Sequence, residues 1–270
     1  MPKNISEYTN LVIVRGAGDI ASGTICRLYQ CGFAVAALEA EKPTVIRRWA
    51  AFASAVTEGE VTVEDLTALR CDTEQEIAEA LETGKIPICV DPEGIWIKKL
   101  NPFAVVDAIL AKKNIGTTRE MAPIVIGLGP GFTAGMDVDA VIETNRGHDL
   151  GRVIYKGAAA ENTGVPGSID GYTHERVIRA PSAGVVRIVR DIGTVVKAGD
   201  CLAVIDGREV MSKIAGVVRG IIADGSSVFK GMKIADVDPR GNAGYCNTIS
   251  DKARNLSGGV LEAIIHYVAK

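Results

Sequence analysis

The sequence predicts an α/β fold: a domain with a mostly parallel sheet, a small all-β domain, and a C-terminal helix. Three observations carry that prediction. An apolar run, Leu11 to Val14, ends in Arg15-Gly16-Ala17-Gly18 and passes at once into helical spacing at Ile20, Ala21, Ile25 and Leu28. Apolar runs then alternate with helix-like stretches as far as Glu143. Between residues 183 and 238, a pattern of short β runs and glycine turns occurs twice. The expected domains are 1–170, 171–240 and 241–270.

At 270 residues, 47% hydrophobic and 23% charged, the chain can bury one large core or two smaller ones. Its 30 basic and 33 acidic residues give a net charge of −3, so neither nucleic acid nor an anionic membrane is expected as a partner. No apolar run approaches a membrane span, and Lys3 and Glu7 precede a short strand rather than the apolar core of a leader. Cys26, Cys31, Cys71, Cys89, Cys201 and Cys246 contain no CxxC pair, which points to reduced thiols in a cytoplasmic protein. His148, His174 and His266 lack ligand spacing, so no metal is expected.

The first glycine loop has the form of a Rossmann-like βαβ start. Gly16 permits the turn, Gly18 admits a close pyrophosphate, and Ala21 lets helix and strand pack. Asp19 opens the helix. The next strand, Phe33 to Leu38, ends at Glu39, where a carboxylate can accept bonds from ribose hydroxyls. A purely structural turn is the competing account. Pro43 to Val56 reads as an amphipathic helix with Arg47 and Arg48 on its polar face, either solvated or reaching an anion near the ribose.

A strand at Glu60 to Val63 precedes the capping box Thr73-Glu74-Gln75-Glu76, whose helix closes at Gly84. The strand Lys85 to Val90 delivers Asp91 to a strand end, as a ligand contact or a turn cap, and Cys89 reads as core. Asn101-Pro102 then starts an expected helix running to Asn114. Lys112 and Lys113 fall in its last turn, complementing the dipole, with Lys112 or Asn114 touching an anion as the sharper account.

The second glycine loop, Gly127-Leu-Gly129-Pro-Gly131-Phe-Thr-Ala-Gly135, holds four glycines in nine residues. That density argues for unusual dihedrals or a bare approach to a ligand, and its amides can form an anion nest. A strand from Val138 to Glu143 follows, then Thr144-Asn-Arg146-Gly-His148-Asp149. Arg146 is a candidate to neutralise an anion and His148 to relay protons, although a lone histidine is more often structural.

Residues 157–172 read as a linker or mobile loop. Beyond it, residues 183–206 and 215–238 align without gaps at ten identities in 24 positions, enough to mark a duplication. This pattern resembles the biotinyl/lipoyl-like, or barrel-sandwich hybrid, domain. In carrier members of that family a lysine at the hairpin between the halves takes the prosthetic group. Here the hairpin is Ile205 to Val210 and Glu209 stands at that place, so a docking, lid or dimerisation role is expected instead. In the tail, Cys246 beside Ser250, Asp251 and Lys252 is the candidate reactive thiol, and Ser257 is the expected cap of the last helix.

Several segments together carry a wider resemblance: Arg15-Gly-Ala-Gly-Asp-Ile-Ala21, Arg47-Arg48, Asp107 through Thr117, Gly127 to Gly135, Glu143-Thr-Asn-Arg-Gly-His148 and Asp236-Val-Asp-Pro-Arg240. With them the chain resembles the YqeB-type proteins of the selenium-dependent molybdenum-hydroxylase maturation system. The resemblance implies a cytoplasmic accessory factor that loads or matures the molybdenum cofactor, with a hydroxylase as partner protein. The XdhC-like proteins, which insert sulfurated molybdenum cofactor into xanthine dehydrogenase, look like distant functional relatives. It implies no particular catalytic residue.

The expected ligand is a phosphorylated small molecule, either a molybdopterin-type dinucleotide or NAD(P). Gly16, Gly18, Asp19 and Glu39 would hold one end, and Gly127, Gly129, Gly131 and Arg146 the other. The alternatives are an NAD(P)-dependent oxidoreductase with a non-catalytic β module, and a docking scaffold with a vestigial nucleotide fold. Whether the protein is an enzyme, and whether it forms a homo-oligomer, stay open at this level.

Overall fold

A computed structural model describes residues 5–269; Lys3 and Lys270 lie outside them. The chain is a mixed α/β protein of two compact units. Residues 1–43, 51–162 and 249–270 form the first, and residues 44–50 and 163–248 the second.

The first unit is built on β1 (Leu11–Arg15), which is wholly buried and leads through the glycine loop into α1 (Asp19–Gln30). Then come β2 (Ala34–Glu39), the single-turn α2 (Ala55–Glu58), and the antiparallel pair β3 (Glu60–Val63) and β4 (Leu66–Arg70). Helix α3 (Glu74–Glu82) starts in the expected capping box, with Thr73 and Glu76 bonding each other's backbone amides. It leads to β5 (Ile86–Val90), α4 (Ile95–Leu100), β6 (Ala104–Asp107) and β7 (Ile124–Leu128). The short strands β8 (Thr133–Ala134), β9 (Ala140–Ile142), β10 (Val153–Ile154) and β11 (Gly157–Ala158) complete this run.

The main sheet has nine strands in the order β10-β9-β7-β6-β1-β2-β5-β4-β3. All neighbours from β9 to β4 are parallel, and one antiparallel strand closes each edge. Strands buried on both faces read as continuous apolar runs, which is why β1, β6 and β7 lack alternation. The chain steps outward from β1 on one side and later returns to its other side at β6. The carboxyl ends of β1 and its neighbours thus face a topological switch point.

The second unit contains eight strands: β12 (Val177–Arg179), β13 (Gly184–Ile188), β14 (Val195–Val196), β15 (Cys201–Ile205), β16 (Arg208–Met211), β17 (Gly216–Ile221), β18 (Ser227–Val228) and β19 (Lys233–Asp238). They make two four-stranded antiparallel sheets, β12-β19-β17-β14 and β16-β15-β13-β18. The repeat appears directly, with β13, β14 and β15 answered by β17, β18 and β19. The copies exchange strands: β14 of the first pairs with β17 of the second, and β18 of the second pairs with β13 of the first. Val186, Leu202 and Ile205 meet Val218, Ile234 and Val237 in one buried core. The β15–β16 turn has Asp206 and Gly207 both at positive φ, 46° and 82°, the signature of a type I′ hairpin.

Helix α5 (Asp251–Val268) returns to the first unit and packs beside α1 and on β7, β9 and β10. A Cβ on Gly23 of α1 would come within 2.7 Å of the Ala253 Cβ, and Arg27 Nε donates to Ser257 Oγ at 2.8 Å. Both sequence numbers advance together, so α1 and α5 run parallel with their N-termini at the same edge.

Four local expectations are corrected. Pro43 to Val56 is no continuous helix but 3-10 turns at Arg48–Ala50 and Phe52–Ser54 followed by α2, because Ala51 is extended at φ −139° and ψ 123°. Arg47, buried in the second unit, donates to the Tyr245 and Thr248 carbonyls, and Arg48 donates to the Ile221 carbonyl and pairs with Asp191. Asn101 ends α4 in a left-handed conformation rather than starting a helix, and β6 and an irregular loop occupy the stretch expected to be helical. A residue before proline avoids the helical region, which works against helix through Asn101-Pro102. The cap of α5 is Ser250, whose side chain accepts from the Ala253 amide, while Ser257 is buried within the helix.

Candidate functional site

The first glycine loop leaves β1 buried and ends in a helix start that no side chain caps. Its glycines have different physical reasons. Gly16 has φ +92°, and a Cβ there would sit 3.1 Å from the backbone of Ala108 and Ile109. Gly18 has φ −65°, an ordinary value for any residue, and a Cβ there would meet nothing within 4 Å. The amides of the first turn and the positive end of the α1 dipole lie beside that open position. Asp19 occupies the first helical turn.

Glu39 closes the loop from the end of β2. Its Oε2 accepts the Ala17 amide at 2.9 Å and its Oε1 the Ala40 amide at 2.8 Å. Ser22, fully buried, has its hydroxyl on the Ala17 and Gly18 carbonyls and accepts the Phe52 amide.

Behind the loop lies a buried charge network that the sequence reading missed. The Arg15 guanidinium donates to Thr117 Oγ1 and to the Pro92 carbonyl, and stands 3.5 Å from Asp107 Oδ2. Thr117 donates onward to Asp107 Oδ2 at 2.6 Å, and the Ile109 amide donates to Oδ1 at 3.1 Å. Burial pushes the Asp107 carboxyl up, against the pull of those donors and of Arg15. The network anchors both ends of the 108–117 loop, where Leu110 and Lys112 hold φ of 60° and 65°. Left-handed backbone at bulky residues is strained and persists only where surroundings enforce it. Asn114 adds a turn of its own, its Oδ1 accepting the Gly116 and Thr117 amides.

The second glycine loop packs on protein. A Cβ on Gly127 would strike the Phe132 ring at 2.5 Å, one on Gly129 (φ +82°) the Thr144 hydroxyl at 2.5 Å, and one on Gly131 (φ +109°) the Lys113 Cα at 2.5 Å. The 108–117 loop therefore lies between the two glycine loops, touching Gly16 at its start and Gly131 at its middle. Glu143, 5% exposed at the end of β9, accepts the Asn145 and Ala160 amides.

Arg146 forks onto Asp251 with bonds of 2.8 and 3.1 Å, tying the loop after β9 to the first turn of α5. Lys252 follows in that turn. Burial and the positive charges of Lys112 and Arg146 push its ammonium down to about 8, against Asp19 and Glu143. Partial burial lowers Lys112 as well. Arg146 and Lys252, from two separate chain segments, thus stand together at the start of α5. Long-range assembly of this kind leaves no local sequence signal.

Other candidates stand apart. His148 is exposed in the loop beyond Arg146. Asp91 caps a turn, accepting the Gly94 and Trp96 amides at 2.9 and 2.8 Å. Cys89 is core, and burial pushes its thiol up. Cys246 is not the solvent-facing thiol expected: it is fully buried in the second unit, its Sγ lies 3.7 Å from the Val218 carbonyl, and burial raises its thiol. Reactive thiols need the opposite setting. Glu209 lies exposed on β16. Among the described residues no group of His, Cys, Asp and Glu is arranged to hold a metal ion, and no helix is long and apolar enough to cross a membrane.

Over 255 residues, 94% of its length, the chain is 55% identical to the uncharacterized protein YqeB of Escherichia coli K12. The match takes in 47% of YqeB, so the chain spans about half the length of this curated relative. No protein-family model matches. Among solved structures, an aspartoacylase family protein of Mesorhizobium loti is 13% identical, with 84% of each chain covered and a TM-score of 0.29. The ectoine utilization protein EutE of Ruegeria pomeroyi is 12% identical, with 84% of this chain and 85% of that one covered and a TM-score of 0.27. Likenesses that weak carry no argument about fold or function.

Proposed function

We propose that the first unit is a Rossmann-like domain holding a phosphate-bearing cofactor at the carboxyl edge of its sheet. The protein serves in this reading as a cytoplasmic accessory factor for maturation or cofactor loading of selenium-dependent molybdenum hydroxylases. Gly18 carries the binding half of the reading. Gly16 answers to its φ and to backbone packed against it, whereas Gly18, the N-cap residue of α1, is held by neither and faces open space at a helix start with no side-chain cap. A ligand that must come closer than a Cβ allows is a physical reason for glycine there. The strand order around β1 supports the Rossmann-like reading, since ligands of open α/β sheets lie at such switch points. The maturation half rests on the YqeB resemblance. The second unit, with its exchanged repeats, is read as a barrel-sandwich hybrid-like module that docks the hydroxylase.

The second glycine loop has a smaller part in this reading than its composition suggested, because protein atoms already account for Gly127, Gly129 and Gly131. Glu39 acts first as loop closure. Native mass spectrometry of freshly purified protein, with elemental analysis for molybdenum and selenium, tests the proposal. A mass matching a pterin dinucleotide, absent from Gly18→Val protein, is expected. Bound NAD(P) would transfer the case to an oxidoreductase, and an unchanged ligand load in the variant would leave the loop structural.

A further inference from the structure

The second unit holds a groove between two sheet edges that occupy equivalent places in its repeat. Residue 183 answers 215, and the same 32-position step carries Val177, Ile178 and Arg179 of β12 onto Glu209, Val210 and Met211 of β16. Each trio lies in the end strand of its own four-stranded sheet, β12 beside β19 and β16 beside β15. Together they line a cavity of about 460 Å³. We propose that an extended segment of a partner protein, carrying an acidic residue beside an apolar one, adds to β16 as a further strand and fills this groove. The proposal deepens the docking role given to the second unit and rests on that reading.

The backbone decides the form of the occupant. The two-residue turn at Asp206-Gly207 makes Ile205 and Arg208 a hydrogen-bonded pair, and the ladder alternates from there. Arg208 and Val210 therefore direct their amides and carbonyls at β15, as Ser212 does toward Asp200 and Gly199. Those of Glu209 and Met211 point the other way, along an edge that no strand among the described residues covers. An open edge of that kind accepts another strand. The β12 edge is less open, since the Val177 amide already donates to the His174 carbonyl. The side chains decide the occupant's chemistry. Val177, Ile178 and Val210 are buried and give the groove an apolar floor, while Met211, 42% exposed, is an apolar side chain left in water at its rim. Arg179 and Lys213 also line it, against Glu209 as the acid of that lining. A bond of 2.9 Å from Arg179 Nη1 to the Gly231 carbonyl holds the guanidinium in place. Glu175, which accepts the Thr173 amide at 3.1 Å, stands outside the lining. Exposed cations above an apolar floor match a carboxylate next to an apolar side chain.

A random peptide library displayed on phage, selected against the immobilised full chain, supplies the probe. Enriched sequences should place a carboxylate beside an apolar residue, and the best of them, synthesised, should slow amide exchange at Glu209 and Met211. N-methylation along that peptide should abolish binding at alternate positions and spare those between, as strand pairing requires. Lys213→Glu, an exposed position, should bind it at least ~10-fold more weakly at low salt. Unchanged far-UV circular dichroism in that variant keeps a folding defect from passing as loss of binding. The proposal is overturned by a failure to enrich any such sequence, by tolerance of N-methylation at every position, or by equal affinity in Lys213→Glu. Self-association of the wild-type chain that Lys213→Glu abolishes would give the edge to a second copy and overturn a partner segment. A purified molybdenum hydroxylase separates the two readings. If it binds wild-type and Lys213→Glu protein alike while no peptide is enriched, docking stands and the groove falls. If the peptide binds as expected and the hydroxylase does not bind, the strand site stands and the hydroxylase reading falls.

Discussion

At the level of single residues, the glycines of the first loop divide by cause, and so should their variants. Gly16→Ala forces a side chain into left-handed backbone against Ala108 and Ile109, a loss of about 1–3 kcal/mol in urea unfolding. Gly18→Ala meets no clash, so stability in urea should fall only by what alanine loses to glycine as an N-cap, about 1 kcal/mol or less, while ligand retention weakens. Lys252 gives a second prediction. Its folded value of about 8 lies below the ordinary 10.5, so between those limits the unfolded chain holds more protons than the fold. Stability from this group therefore rises with pH across that window, and below it the charged lysine opposes folding in full. Lys252→Met should raise the melting temperature of ligand-free protein at pH 7, with the gain vanishing as pH approaches 10.5. The turn, the start of α1 and the place of Glu39 at the end of β2 were legible in the sequence because a βαβ start packs its evidence into some thirty contiguous residues. Lys252, Arg15 and Thr117 were not, because their roles depend on partners up to a hundred or more residues away.

At the level of elements, the contact between α1 and α5 sets the geometry of the edge. Gly23→Ala should destabilise by about 1–3 kcal/mol, since its Cβ would fall 2.7 Å from that of Ala253. Adding Ala253→Gly should recover part of that loss, although glycine within a helix itself costs about 1 kcal/mol; a double-mutant cycle by urea unfolding measures the coupling. Capping chemistry was readable where a box was complete, as at Thr73 and Glu76. It misled where a polar residue precedes an apolar run for another reason: Ser257 is held by Arg27 inside α5, and the cap belongs to Ser250. Periodicity failed over Pro43 to Val56 and Asn101 to Asn114. Both stretches contain short apolar runs, and a short run fits helix, 3-10 turn or buried strand equally well until its packing partners are known.

At the level of the whole molecule, the duplication in residues 183–238 predicts strands, turns and the identity of equivalent positions, and all three are present. What a repeat in sequence could not disclose is that each copy gives β14 or β18 to the other copy's sheet. A protease site inserted at the Asp206-Gly207 turn should therefore be cut without dispersing the second unit. The pieces should co-elute on gel filtration and keep their far-UV circular dichroism, whereas separate elution would show that covalent continuity, not exchanged pairing, holds the halves together. One copy alone leaves its sheet short of the strand that the other supplies, so neither half completes its sheet without its counterpart. Carrying both copies in one polypeptide makes that completion independent of protein concentration.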